Sequence, residues 1–211
     1  SLHMDTTMRG RRDGYAHART EADLDGLRAE FAELIRQARR RTGRRLEVAS
    51  TVTVTRENLA GVPGIVRWFL GNADAFKMVS FQPLASVGRT QTNLQGVSVD
   101  ELWARIAEGT GDPDVGLGDG SLGHPACSRF VQGMAAGRGN TGRFVPLYRR
   151  DRPEEMAVLR EALDRLGGES FRLDGPRAAA ARALRMLVRH GGFLLGRALP
   201  HALRVWRRTR A

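Results

Sequence analysis

Apolar positions along the chain follow two rhythms in turn. The set Leu24, Leu27, Phe31, Leu34, Ile35 and Ala38 keeps the spacing of one helix face as far as Gly43, and Thr20 with Asp23 three positions on reads as a capping box, so a helix is expected over about 21–42. The next stretch, LEVASTVTVT, changes to period two, with Val48, Val52 and Val54 on one face and Ala49, Thr51, Thr53 and Thr55 on the other. After Asn58, helical spacing returns in Val62, Ile65, Val66, Phe69 and Leu70, with Pro63 tolerated in the first turn and Gly71 near the end. Residues 76–82, FKMVSFQ, read as a strand again. At the front, Leu2 and Met4 alternate with His3 and Asp5 as strand residues do.

Strand, helix, strand, helix, strand implies parallel strands joined by crossover helices. Farther on, Ser98 and Glu101 make a second capping box before Val99, Leu102, Trp103 and Ile106, a short helix that stops at Gly109. Residues 111–150 are rich in glycine, read as irregular, and hold GHPACSRF. A helix opens at Pro153 and runs through Met156, Leu159, Leu163 and Leu166, and the tail from Pro176 is helical again, interrupted at Gly191-Gly192 and at Pro200.

Three parallel strands cannot close a barrel and leave two unpaired edges. Because the chain reads as beginning inside a strand, the expected fold is α/β: a partial (β/α) barrel of about three βα units over 1–110, the irregular segment 111–150, and a basic helical extension over 151–211. The other reading of SLHM, a cloning remnant, removes the first strand from that scheme.

The charge of +11 changes how the tail reads. After Asp174 there is no acidic residue, while nine arginines fall between Arg177 and Arg210, which leaves about +2 for the remainder. Leucines and Trp206 lie among those arginines, so residues 177–210 suit either peripheral contact with an anionic membrane or a solvated helix docked on the body. A single cysteine excludes an internal disulfide and fits a reducing, cytoplasmic setting.

If the valines of the middle strand face the helices, then His3, Asp5, Thr51, Thr53, Ser80 and Gln82 lie on the opposite face. That face either lines a hollow for a polar ligand or is the solvent side of an open sheet.

In their order these pieces resemble the radical SAM superfamily: SLHMDT as the fourth barrel strand, TVTVTRENL as the fifth with its exit, and FKMVSFQPLASVGRT as the sixth with its loop. More narrowly, MVSFQPLASVGRT, VSVDELWARIAEGTG and GHPACSRFV are similar to the branch near tetraether lipid synthases, and the resemblance spans about 1–150. It implies that His3 and Asp5 approach the ribose and methionyl part of S-adenosylmethionine. Thr51, Thr53 and Asn58 would line the same cofactor, and Gln82 and Pro83 the adenine. Gly88 and Arg89 would close the loop over substrate, where a guanidinium can grip a carboxylate or phosphate. Cys127, with His124 nearby, would ligate an auxiliary cluster, against the alternative of an inert buried thiol.

The family's C-x-x-x-C-x-x-C loop, which holds the 4Fe-4S cluster, and its glycine-glycine-glutamate strand are absent from the chain. Both precede the fourth strand in that family, so the chain is expected to be the C-terminal part of a longer enzyme and inactive alone. The full enzyme would generate a 5'-deoxyadenosyl radical and modify an unactivated carbon of a small-molecule or lipid-like substrate. The competing expectation is a non-catalytic basic module that contacts anionic membrane or nucleic acid; few aromatics and no nucleic-acid motif weigh against the latter.

Overall fold

The computed structural model describes residues 1–7, 13–44, 46–84, 94–118, 129–136, 142–167 and 176–210. They divide into two compact units, one built mainly from residues 1–116 and the other mainly from 145–211.

The first unit is a mixed α/β structure. β1 (Leu2–His3), β2 (Val48–Val54) and β3 (Phe76–Pro83) form a parallel sheet in the order β1-β2-β3, connected by α1 (Asp25–Thr42) and α2 (Val62–Gly71) and followed by α3 (Val99–Thr110). The β-branched run of β2 earns the central place, because both its neighbours pair with it. The register pairs Val52 with Phe81 and Thr53 with Gln82, and it slips by one residue between Val48 and Ala49, which leaves Lys77 unpaired in the ladder.

All three helices bury against one face of this sheet. Val52 and Val54 pack with Ala32 and Ile35 of α1, Val62, Ile65, Val66 and Phe69 of α2, and Leu102 of α3. Edge-to-face contacts among Trp68, Phe69 and Phe76 close the end where α2 turns into β3, with centroids 5.1–5.9 Å apart. Strand order follows chain order and the connecting helices share one core, so among the described residues of this unit no helix covers the other face of the sheet.

Both capping boxes are present. The Thr20 N–H donates to Asp23 Oδ2 at 2.9 Å and the Asp23 N–H to Thr20 Oγ1 at 3.3 Å, at the start of a 3-10 turn that feeds α1. Ser98 and Glu101 exchange the same pair of bonds before α3. The buried face of α1 differs from the expected one. It is Leu24, Arg28, Ala32 and Ile35, while Leu34 is 57% exposed. An arginine lies in the middle of this face, where apolar spacing alone could not find it.

Residues 111–150 contain more regular structure than their glycines imply. Val115–Gly118 is a 3-10 turn, and β4 (Gly133–Ala136) pairs with β5 (Arg143–Pro146). Strands of four residues, Gly-Met-Ala-Ala and Arg-Phe-Val-Pro, carry too little periodicity to be read from sequence.

In the second unit, α4 (Pro153–Leu166), α5 (Pro176–Phe193) and α6 (Leu199–Arg208) carry the packing. The Glu155 carboxylate, 2% exposed, receives Arg152 at 3.0 Å and Arg208 at 2.8 Å. Burial raises its pKa, but the two guanidiniums outweigh that and hold it below the ordinary carboxylate range. His201 Nε2 lies 2.6 Å from the Leu147 carbonyl oxygen. The tail bends at His190, beside the glycine pair as expected. Pro200 does not interrupt it: a π-helical turn, Leu194–Ala198, precedes α6, and the proline takes a first-turn position where no N–H is required. No described helix is long and apolar enough to cross a membrane.

Candidate functional site

The uncovered face of the sheet carries two polar rows. Because paired positions of parallel strands share a face, His3, Thr51 and Ser80 form one row across β1, β2 and β3, and Thr53 and Gln82 form the next toward the carboxyl ends. Of the six side chains expected to share one surface, these five do so, and Asp5 does not. His3 and Gln82 are exposed, Ser80 and Thr53 half-buried, and Thr51 buried under Ser1, whose hydroxyl lies 2.8 Å from Thr51 Oγ1. Pro83 pairs with Val54 and lies on the helix side, so it does not join Gln82 on this face.

Asp5 and Asn58 are placed differently again. Asp5 is fully buried at the carboxyl end of β1, where Oδ2 accepts the Thr53 N–H at 2.9 Å and Oδ1 accepts the Thr7 N–H at 2.9 Å and the Thr7 hydroxyl. The side chain thus stands in for a backbone carbonyl after β1 has ended. Asn58 Oδ1 accepts the Thr55 N–H at 2.8 Å, and its amide donates to the Thr53 carbonyl at 3.0 Å and to Glu21 Oε1 at 2.9 Å. With their bonding taken up inside the protein, Asp5 and Asn58 hold the strand ends in shape and do not offer free groups to a ligand.

Glu21 and Arg28 complete this support and were not singled out in the sequence. Glu21 Oε1 also accepts the Thr6 N–H at 2.9 Å and the Thr6 hydroxyl at 2.7 Å, which locks the turn after β1. Arg28 Nη2 donates to Glu21 Oε2 at 2.6 Å and to the Met4 carbonyl at 3.0 Å, and Nη1 donates to the Glu21 carbonyl at 2.6 Å and to Asp25 Oδ1 at 2.8 Å. The one available signal was an arginine four residues after Leu24 and four before Ala32, on a stripe otherwise apolar.

On the next strand exit, the Arg56 N–H donates to the Gln95 carbonyl at 2.9 Å and its guanidinium pairs with Glu101. Glu101 is held down to about 2 by that guanidinium and by the Ser98 N–H and hydroxyl. Gly88, Arg89, His124 and Cys127 lie outside the described residues. Among the described residues no three His, Cys, Asp or Glu side chains are grouped to hold a metal ion.

The groups fit a nucleoside in part. Ser80, Thr53, His3 and Gln82 present hydroxyl, imidazole and amide groups side by side with no hydrogen-bond partner for their side chains among the described residues, which suits the edges of a purine and a ribose. One cysteine cannot hold a 4Fe-4S cluster, so its ligands would come from outside the chain. No family model, no curated protein and no solved structure matches the chain.

Proposed function

We propose that this chain supplies three neighbouring strands of a radical SAM (β/α) barrel and the side chains that seat the nucleoside part of S-adenosylmethionine. The observation that carries the reading is the pair of polar rows, His3-Thr51-Ser80 and Thr53-Gln82, on the face turned away from the helices. An ordinary barrel interior is packed with branched apolar side chains, so a polar inner face needs a polar occupant. Sequential strand order with the helices in one core supports a barrel over a doubly wound sheet, which carries helices on both faces.

S-Adenosylmethionine bound at a 4Fe-4S cluster would supply a 5'-deoxyadenosyl radical that abstracts hydrogen from an unactivated carbon. The chain's own residues bind and orient. Gln82 presents an amide that can read a purine edge, Thr53 and Ser80 offer hydroxyls to a ribose, and His3 extends the same row. Asp5 and Asn58, expected as direct contacts, act one step back by fixing the Thr53 backbone. The lipid-like substrate and the roles of Gly88, Arg89 and Cys127 rest on the sequence resemblance alone.

The test uses the natural polypeptide that carries these residues, purified without oxygen. It should hold an iron-sulfur cluster and form 5'-deoxyadenosine from S-adenosylmethionine under reducing conditions. Gln82→Ala should weaken cofactor binding about tenfold, the scale of one good hydrogen bond. A protein without a cluster, or one that forms no 5'-deoxyadenosine, overturns the reading in favour of a non-catalytic module.

A further inference from the structure

The C-terminal helices have two apolar sides where a helix docked on a protein body needs one. Val205, Phe193 and His201 are buried. In α6, at 100° per residue, Leu199, Leu203 and Trp206 fall opposite His201 and Val205. These three are 41–49% exposed, and Leu195, four residues before Leu199, is 61% exposed. Ahead of the bend at His190, Leu184 and Val188 continue the i, i+4 spacing at 64% and 81% exposure.

Large apolar side chains stand in water on both segments of the tail, at 184–188 before the bend and 195–206 after it, with no cover among the described residues of the unit. Its charge setting is one-sided. Arg197 pairs with Glu161 and Arg208 with Glu155. Arg177, Arg185, Arg204 and Arg207 have no acidic partner among the described residues. At 100° per residue Arg185 lies about 60° from Val188 and Arg207 about 40° from Leu203, so these guanidiniums border the apolar side chains. Arg210 stacks over the Trp206 ring, 3.6 Å from its centroid, and presents an aromatic body with a cationic tip.

We infer that this outer apolar side seats the protein on an anionic phospholipid bilayer, with α5 and α6 lying in the headgroup layer. Three features select that occupant. Guanidiniums beside leucines match lipid phosphates above acyl chains. A nucleic acid would satisfy the arginines and leave Leu184, Val188, Leu195 and Leu199 in water. A second copy would bring two arginine-bearing tails together against their own charge. No described helix can span the bilayer, so the contact is at its surface. The inference does not depend on chemistry at the sheet.

Flotation of the full chain with vesicles tests it. Vesicles of phosphatidylcholine with about 30% phosphatidylglycerol should carry the protein upward, vesicles of phosphatidylcholine alone should not, and raising the salt should release it. Val188→Asp with Leu195→Asp should weaken partitioning at least about tenfold, and each of Arg185→Gln, Arg204→Gln and Arg207→Gln about fivefold. All five positions are exposed, so an unchanged melting curve checks folding. Equal binding to neutral vesicles overturns the inference. So does tighter retention on duplex DNA that is indifferent to the apolar substitutions, and so does a self-associated protein that Val188→Asp turns into a monomer.

Discussion

Arg28 donates to Glu21 across 2.6 Å, and neither side chain reaches solvent: relative exposure is 0% and 2%. The pair joins α1 to the turn after β1, because Arg28 also takes the Met4 carbonyl and Glu21 also takes Thr6 and Asn58. Both Glu21 oxygens and both Arg28 terminal nitrogens are engaged, while the buried Arg28 Nε has no hydrogen-bond partner. A buried charge pair is costly to break from one side, since the surviving charge is left without a partner.

Arg28→Leu is therefore expected to destabilise the protein by about 3–5 kcal/mol, measured as a lower urea midpoint. Met4, Asp5 and Thr6 should lose amide protection together. A midpoint within error of wild type would contradict the role assigned to the pair.

Gly109 of α3 meets α2 so closely that a Cβ would lie 2.6 Å from Val66 Cβ and 3.0 Å from Pro63 Cα. Helix propensity alone favours alanine by about 1 kcal/mol. Overpacking costs about 1–3 kcal/mol, so Gly109→Ala should lower the melting temperature. A higher one would mean that the two helices can separate freely.

Glu101 and Asp74 titrate below their ordinary values, Glu101 at about 2 through Arg56 and Ser98, and Asp74 through the Arg36 guanidinium. Depressed carboxylates stabilise the fold above their unfolded pKa and lose that contribution as pH falls through the folded one. The melting temperature should stay level down to about pH 5 and then fall steadily toward pH 2. Glu101→Gln keeps the capping geometry, so it should melt below wild type at pH 7 and together with it near pH 2; a constant gap would exclude the ionised form as the cause.

In the second unit, Glu155 joins α4 to α6 through Arg208. Glu155→Ala is expected to cost about 1.5–3 kcal/mol. Hydrogen exchange should locate that loss in the amides of α6 and spare the sheet. Unchanged protection of α6 would show that Val205 and Phe193 alone hold the tail.

Periodicity alone determined the order of strands and helices over residues 2–110, because Val52 and Val54 alternate with Thr51 and Thr53 while Val62, Val66 and Phe69 follow helical spacing. Local chemistry likewise determined both capping boxes, since a cap joins residues three apart. The common face of His3, Thr51 and Ser80 was legible too, once the strands were taken as parallel neighbours. Only the tertiary structure decided which polar side chains remain free. Asp5 and Asn58 bond to backbone 48 and 5 residues away, Arg28 enters the buried stripe of α1 by reaching Glu21 and Met4, and Ser50 turns into the helix side to meet the Leu2 carbonyl. Whether a buried polar group is tolerated depends on partners brought close by the fold, and spacing along the chain carries no record of them.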